Sequence, residues 1–284
     1  MSAPAFDAPL RACPVCAGGP LADFDRDHAG RSIVRCRACD LLVMSPQYSD
    51  AWLAEFYARY IAVHDQDRTD HKKGSLMDPE MRREAKRRAL AQLRAAGASG
   101  RLLCIGCGDG MELVVARELG FQPEGYDVDP ATTREVANRC GVPVHHGAFA
   151  DLPLAAGSFD AVFFDNVLEH LKTPSVYLRK IHALLRPGGL AYVGVPNVGS
   201  ISCRWKTLVG KLGLRPRRRG SHYSTKHHIL YFTPATLRRT LEQVAGLQVL
   251  LLRGSLKPQG HALTRQLSHW LPSLDSSIFA IARK

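Results

Sequence analysis

The segment Arg101 to Gly110, RLLCIGCGDG, constrains this chain more than any other. Its apolar run, Leu102 to Ile105, has the length and composition of a buried parallel strand. The run breaks at Gly106, Gly108 and Gly110, and apolar positions at helical spacing follow at once (Met111, Leu113, Val114, Ala116, Leu119). Strand, glycine turn and helix bring backbone close to a ligand and aim a helix N-terminus at its negative group. A second strand, Phe121 to Tyr126, delivers Asp127. A carboxylate about 20 residues past such glycines can take both hydroxyls of a ribose. The stretch therefore predicts a site for an adenosine-bearing cofactor.

The dinucleotide fingerprint G-x-G-x-x-G would require glycine where Met111 stands. The spacing Gly106-x-Gly108-x-Gly110 instead resembles motif I of the class I S-adenosylmethionine (SAM) methyltransferases. Three later stretches resemble that family in the same order: GAFADLPLAAGSFDAVFFDNVLEHL from Gly147, LLRPGGLAYVGVPN from Leu184, and HHILYFTPATLRRTLEQ from His227. The resemblance runs from about Ser99 to the C-terminus and implies an α/β, doubly wound, seven-stranded Rossmann-like sheet of order 3-2-1-4-5-7-6. It implies that Gly106, Cys107 and Gly108 pass under the methionine moiety, and that Asp127 holds the ribose. Val128 and Phe149 would touch the two adenine faces, and Asn166 the methionine end. Two positions depart from the family pattern: Cys104 and Ala148 stand where acids are common. Each lost charged hydrogen bond would weaken cofactor binding by roughly 1.5–3 kcal/mol.

Cys13-Pro-Val-Cys16 and Cys36-Arg-Ala-Cys39 form two CxxC knuckles. Together they supply a tetrahedral thiolate set for structural Zn2+, with no open position for water. A segment this small has too little core to fold without such a staple. The boundaries expected are a zinc ribbon at 1–45, a helical linker or lid region at 46–98 and the methyltransferase domain at 99–284. Asp50 is expected to cap a helix carrying Trp52, Leu53, Phe56, Tyr57 and Tyr60. These aromatics would either pack the ribbon onto the catalytic domain or line the substrate pocket. His64 to Ser75 is polar, a linker or lid, and Asp78-Pro79 opens a basic helix with a solvated Arg/Lys face. Further on, Thr173-Pro174 would cap a helix ending at Pro187-Gly188-Gly189, and Thr233-Pro234 another. Leu263, Leu267, Trp270 and Leu271 would form a small packed helix.

No apolar run reaches the ~20 residues of a membrane span. The N-terminus lacks the charged and apolar regions of a secretory signal. A cytoplasmic location is expected, where thiols stay reduced. The formal net charge of +12 suits an anionic partner, or simply an arginine-rich composition.

The resemblance implies methyl transfer to a small-molecule acceptor, an acidic or phosphorylated one in view of the basic Arg215 to Arg219 run. His170, beside the methyl-bearing end, is the candidate base, with Glu169 adjoining. His222, Tyr223, His227 and His228 form a second group in the insertion after the fifth strand. Adjacency suggests that one of His227 and His228 points in and the other out, and a second metal at these histidines is a minor alternative. Methylation of RNA is the competing enzymatic function. No run of aromatics interleaved with basics supports it, and Asp165-Asn166-Val167-Leu168 is not the signature of base amino-methylating enzymes. A non-catalytic binding or regulatory protein of the same fold rests only on Cys104 and Ala148. The acceptor atom and the oligomeric state have no signature in the chain.

Overall fold

The computed structural model describes residues 3–58, 78–214, 220–223, 227–255, 267 and 269–284. Tyr60, the 64–75 segment, the 215–219 run and Leu263 lie outside them. The central sheet has seven strands: β4 (Gly100–Ile105), β5 (Phe121–Tyr126), β6 (Val144–His145), β7 (Phe159–Asp165), β8 (Leu185–Pro196), β10 (Gln248–Gly254) and β11 (Ser277–Arg283). Their order is β10-β11-β8-β7-β4-β5-β6, the expected 3-2-1-4-5-7-6 read from the other edge. β6, β5, β4, β7 and β8 run parallel, while β11 is antiparallel to both neighbours. The central residues of β4 and β7, Leu102 to Ile105 and Ala161 to Phe164, are apolar and buried because helices cover both faces.

One face is covered by α2 (Pro79–Ala95), α3 (Met111–Glu118) and α4 (Pro130–Cys140), which bury Leu90, Leu93, Leu113 and Val136. The other is covered by α5 (Pro174–Leu184) and α7 (Pro234–Arg239) together with the N-terminal segment. That segment contributes β1 (Leu21–Arg26), β2 (Ser32–Cys36) and β3 (Leu42–Met44). Its sheet takes a fourth strand, β9 (Leu230–Tyr231), from far along the chain. The knuckle segment and the large domain thus share one core, which the division at residues 45 and 98 did not anticipate.

Several local expectations change. Ser49 precedes α1 (Asp50–Ala58) and accepts from the Trp52 N–H at 3.3 Å, so the cap is Ser49 and Asp50 is the first helical residue. Asp78 does cap α2, accepting from Glu80 N–H at 2.9 Å, and Thr233 caps α7 in a reciprocal pair with Thr236. Thr173 opens α5 without a side-chain cap. α5 stops at Leu184, and Pro187 to Gly189 lie within β8. The basic face of α2 is not simply solvated: Arg82 pairs with Asp109, Arg83 and Arg87 pair with Glu118, and Lys86 reaches Asp165. Leu267, Trp270 and Leu271 are exposed rather than packed, with Arg253 set 4.2 Å over the Trp270 ring. Among the described residues, no helix is long and apolar enough to cross a membrane.

The insertion after β8 contains α6 (Ile201–Lys211) and is anchored on the N-terminal sheet. The buried Tyr223 hydroxyl donates to Asp25 Oδ2 at 3.1 Å, and His222 Nε2 bonds Thr207 Oγ1 at 2.9 Å. Burial pushes the His222 pKa down to about 4, whereas the unfolded chain titrates near ~6.5. Between those values the unfolded state binds a proton that the folded state refuses, so stability falls as pH drops from about 6.5 to about 4. His170 and His228 act in the same direction, again through burial. Denaturant midpoints compared between pH 7 and pH 5 should therefore show a smaller acid loss in His222→Gln than in the wild type. Equal losses would remove His222 from this account.

Candidate functional site

Tight stitching to β5 sets the turn after β4. The N–H groups of Gly106 and Cys107 both donate to the Tyr126 carbonyl, at 2.7 and 3.0 Å, and Gly108 N–H donates to Asp127 Oδ2 at 2.9 Å. Gly106 has φ +74°, and a Cβ there would come within 2.5 Å of Val167 Cγ2. The glycine is thus required by the neighbouring loop of this chain as well as by any ligand above it. Gly110, at φ +75°, lets α3 start against Val136 of α4.

A cavity of about 380 Å³ opens above this turn at the carboxyl edge of the sheet. Gly106, Gly108, Asp127, Val128 and Tyr177 line it, together with Asn166, Val167 and His170 after β7 and Leu53 and Tyr57 of α1. The two readings of the α1 aromatics therefore both apply. Trp52 and Phe56 are buried in the shared core, while Tyr57 faces the cavity.

Asp127, the acid expected to hold the ribose, is oriented by Gly108 N–H and by Asp129 N–H at 3.3 Å. Burial pushes its pKa up, against those backbone bonds. Val128 is 45% exposed on the cavity wall. Phe149 is not on that wall: it is 2% exposed and stacks on Tyr177 at 4.6 Å. Tyr177 presents the aromatic surface that was assigned to Phe149. Cys107 is buried beneath the turn, so only its backbone can serve a ligand there. Asn166 holds φ +57° at the end of β7 while its N–H donates to the Gly194 carbonyl at 2.9 Å.

Beneath the turn lies a polar group that the motifs did not indicate. Lys86 Nζ from α2 sits 3.1 Å from Asp165 Oδ2 and 3.9 Å from Glu112 Oε1. Burial acts to lower the Lys86 pKa, but the two carboxylates outweigh it and the net direction is upward. Burial pushes Glu112 up to about 7, opposed by Lys86. Cys104 is fully buried beside them, its thiol held neutral by burial. A signal was present: Lys86, Leu90 and Leu93 share the i, i+4, i+7 face that α2 buries.

The 3-10 turn Leu168–His170 follows β7 and carries two ionisable groups, the buried Glu169 and the partly exposed His170. His170 Nδ1 lies 3.1 Å from the His227 carbonyl. The His170 ring stacks on His227, centroids 4.7 Å apart, and meets His228 edge-on at 4.7 Å. Both adjacent histidines therefore turn toward His170, contrary to the expectation of one in and one out. His222 is not with them but on Thr207. Burial holds His170 well below the ordinary range and puts His228 at about 4. Burial also pushes the Glu169 carboxyl up to about 8.

The four cysteines of the knuckles converge, their sulfurs all within 4.8 Å of one another. Cys13 and Cys39 are 3.7 Å apart, Cys16 and Cys36 3.6 Å. Sulfurs bound to one zinc at ~2.3 Å stand about 3.8 Å apart, so the residues fit a tetrahedral ion. The hydrogen bond from Cys39 pushes Cys13 down to about 5, which favours the thiolate a metal needs.

The lining acids Asp50, Asp127 and Asp129 outnumber the single lining cation, Lys172. Lys172 is itself paired with Asp7 and Asp50 at 2.6 and 2.5 Å.

Turn, carboxylate and cavity define a nucleoside-binding crevice at the switch edge of a doubly wound sheet. A family model described as a methyltransferase domain matches residues 77–252, and the chain belongs to that family. The resemblance to class I SAM methyltransferases is borne out by this match and by the sheet order. A Mycolicibacterium smegmatis protein named "probable S-adenosylmethionine-dependent methyltransferase" is 35% identical over 105 residues, 37% of this chain and 40% of that one. The ubiquinone biosynthesis O-methyltransferase of Ruegeria pomeroyi is 33% identical over 159 residues, 54% of this chain and 62% of that one. The chain therefore spans less than two thirds of either relative. Among solved structures, the 1,6-didemethyltoxoflavin-N1-methyltransferase of Burkholderia thailandensis, with S-adenosylhomocysteine bound, superposes with a TM-score of 0.55. That likeness has 21% identity and covers 94% of this chain and 99% of that one, which supports the fold.

Proposed function

We propose that the chain transfers a methyl group from SAM to a small-molecule acceptor, releasing S-adenosylhomocysteine. The observation that carries this reading is the Asp127 carboxylate, which faces the cavity while pinned by the N–H of Gly108 in the glycine turn. Such a carboxylate suits the ribose diol, and the bare backbone at Gly106 and Gly108 leaves room for the methionine moiety. The sulfonium supplies the leaving group, and the protein's task is to align the acceptor and exclude water. Transfer forms the acceptor–methyl bond as the sulfur–methyl bond breaks. Where the acceptor carries a proton, the candidate base is His170, which is among the cavity-lining residues. The N-terminal knuckles hold Zn2+ as a structural ion through Cys13, Cys16, Cys36 and Cys39.

An anionic acceptor finds little charge to meet it on the described wall, where the one lysine is already paired. Calorimetry tests the core of the reading. S-adenosylhomocysteine should bind with a micromolar constant and NADH should not, and no heat from S-adenosylhomocysteine at millimolar concentration would sink it.

A further inference from the structure

We propose that His170, His227 and His228, completed by Glu169, bind a second metal ion, a divalent cation of the zinc, cobalt or iron(II) kind, at the acceptor end of the cavity. One ring nitrogen from each histidine lies within 4.8 Å of the other two. The tautomer of His170 is fixed by its surroundings. Its Nδ1 faces a backbone carbonyl, which can only accept, so Nδ1 carries the proton and Nε2 keeps a lone pair. That lone pair points to the Glu169 carboxylate, with Nε2 3.8 Å from Oε1, and His228 Nε2 stands 4.0 Å from the same oxygen.

These separations are too long for hydrogen bonds. They do match neighbouring ligands of one metal, which at bonds of ~2.1 Å lie about 3–4.2 Å apart. Glu169 supplies the independent observation. Its side chain is 1% exposed, and neither carboxylate oxygen has a hydrogen-bond partner among the described residues. A buried carboxylate without a donor is costly. Lys86, a nearby ammonium, is already held by Asp165 and Glu112. A cation beside Glu169 Oε1 would meet that oxygen and the Nε2 atoms of His170 and His228 that lie near it.

The backbone holds the set in place. Ile229 N–H donates to the Glu169 carbonyl at 2.9 Å, and Met44 N–H of β3 donates to the Ile229 carbonyl at 2.9 Å. Phe56 stacks on the His227 ring, centroids 5.6 Å apart. The 227–229 segment is thereby fixed against both the 3-10 turn and the N-terminal sheet. Three imidazoles and one carboxylate favour zinc, cobalt, nickel or iron over magnesium or calcium.

Of the four, only His170 also lines the cavity, which would set the ion at the cavity wall. On the methyltransferase reading, the acceptor then offers the cation a hydroxyl or carboxylate oxygen. The cation supplies the positive charge that the described wall lacks and lowers the pKa of a bound hydroxyl. His170 acts in this arrangement as a ligand, and the acceptor proton leaves through the cation-bound oxygen to solvent.

Zinc stoichiometry by plasma mass spectrometry, on the full chain equilibrated with micromolar free Zn2+ and S-adenosylhomocysteine, tests the site. The expected result is two ions per chain in the wild type and one in H227Q/H228Q, the thiolate site being intact in both. One ion in the wild type, or two in the double variant, would overturn it. Should the double variant not fold, Co2+ added to metal-stripped wild type reloaded with one equivalent of zinc decides. Weak visible d–d bands without thiolate charge transfer support the site, and an unchanged spectrum refutes it. Calorimetry of S-adenosylhomocysteine on the same samples separates the two readings. Cofactor binding without the second ion sinks the metal alone, and the second ion without cofactor binding sinks the methyl-transfer reading alone.

Discussion

Asp127→Ala should weaken S-adenosylhomocysteine binding by about 10²–10⁴-fold, because two charged hydrogen bonds worth about 1.5–3 kcal/mol each disappear. The carboxylate reaches the cavity from the end of β5, and no other lining acid is held against the glycine turn by a backbone N–H. Loss of the Gly108 contact should cost about 1 kcal/mol of stability and leave the fold in place. Calorimetry gives the first quantity and a thermal melt the second. Unchanged affinity with a native melt would show that the ribose lies elsewhere, and the cavity would need another ligand. Asp127→Asn should fall between, since an amide keeps one acceptor oxygen while losing the charge.

Cys36→Ser should release the zinc held by the knuckles and lower stability well beyond the N-terminal segment. Cys13, Cys36 and Cys39 are buried in the same core as Met44, Phe164 and Phe232, so the ribbon is a wall of the large domain rather than an appendage. β3 pairs with β9, and Tyr223 ties the insertion to Asp25 of β1. A loss of at least about 3 kcal/mol is expected, near 6–12 °C in Tm for a chain of this size. Metal analysis with a thermal melt checks both parts. Zinc retained at the wild-type number of ions per chain would refute the thiolate site, and an unshifted melt would refute the coupling of ribbon to the large domain.

Much of the architecture was legible because it is local. β5 was expected at Phe121–Tyr126 and is found there, bracketed by Gly120 and Asp127, with Phe121, Pro123, Gly125 and Tyr126 buried. Asp78-Pro79 and Asp129-Pro130 mark helix starts with an acceptor side chain and a residue that needs no N–H partner, and both hold. Pro187-Gly188-Gly189 misled because β8 already pairs at Leu185 and bulges over residues 186–189 before the ladder resumes at Leu190. Phe149 misled for another reason. Its place after β6 was right, but which of two stacked aromatics faces the cavity depends on α5, which brings Tyr177 in front of it.

The amino-acid sequence alone determined the strand–turn–helix unit, the acid at Asp127, the paired knuckles and the order of elements. Each of these is written in neighbours a few residues apart, through φ preferences, periodicity and ligand spacing. Only the tertiary structure decided that His227 and His228 turn toward His170 while His222 turns away. It alone closed the ribbon sheet with β9. Those outcomes join residues tens to hundreds of positions apart, where chain closure and packing select the contact and leave no periodic trace along the backbone.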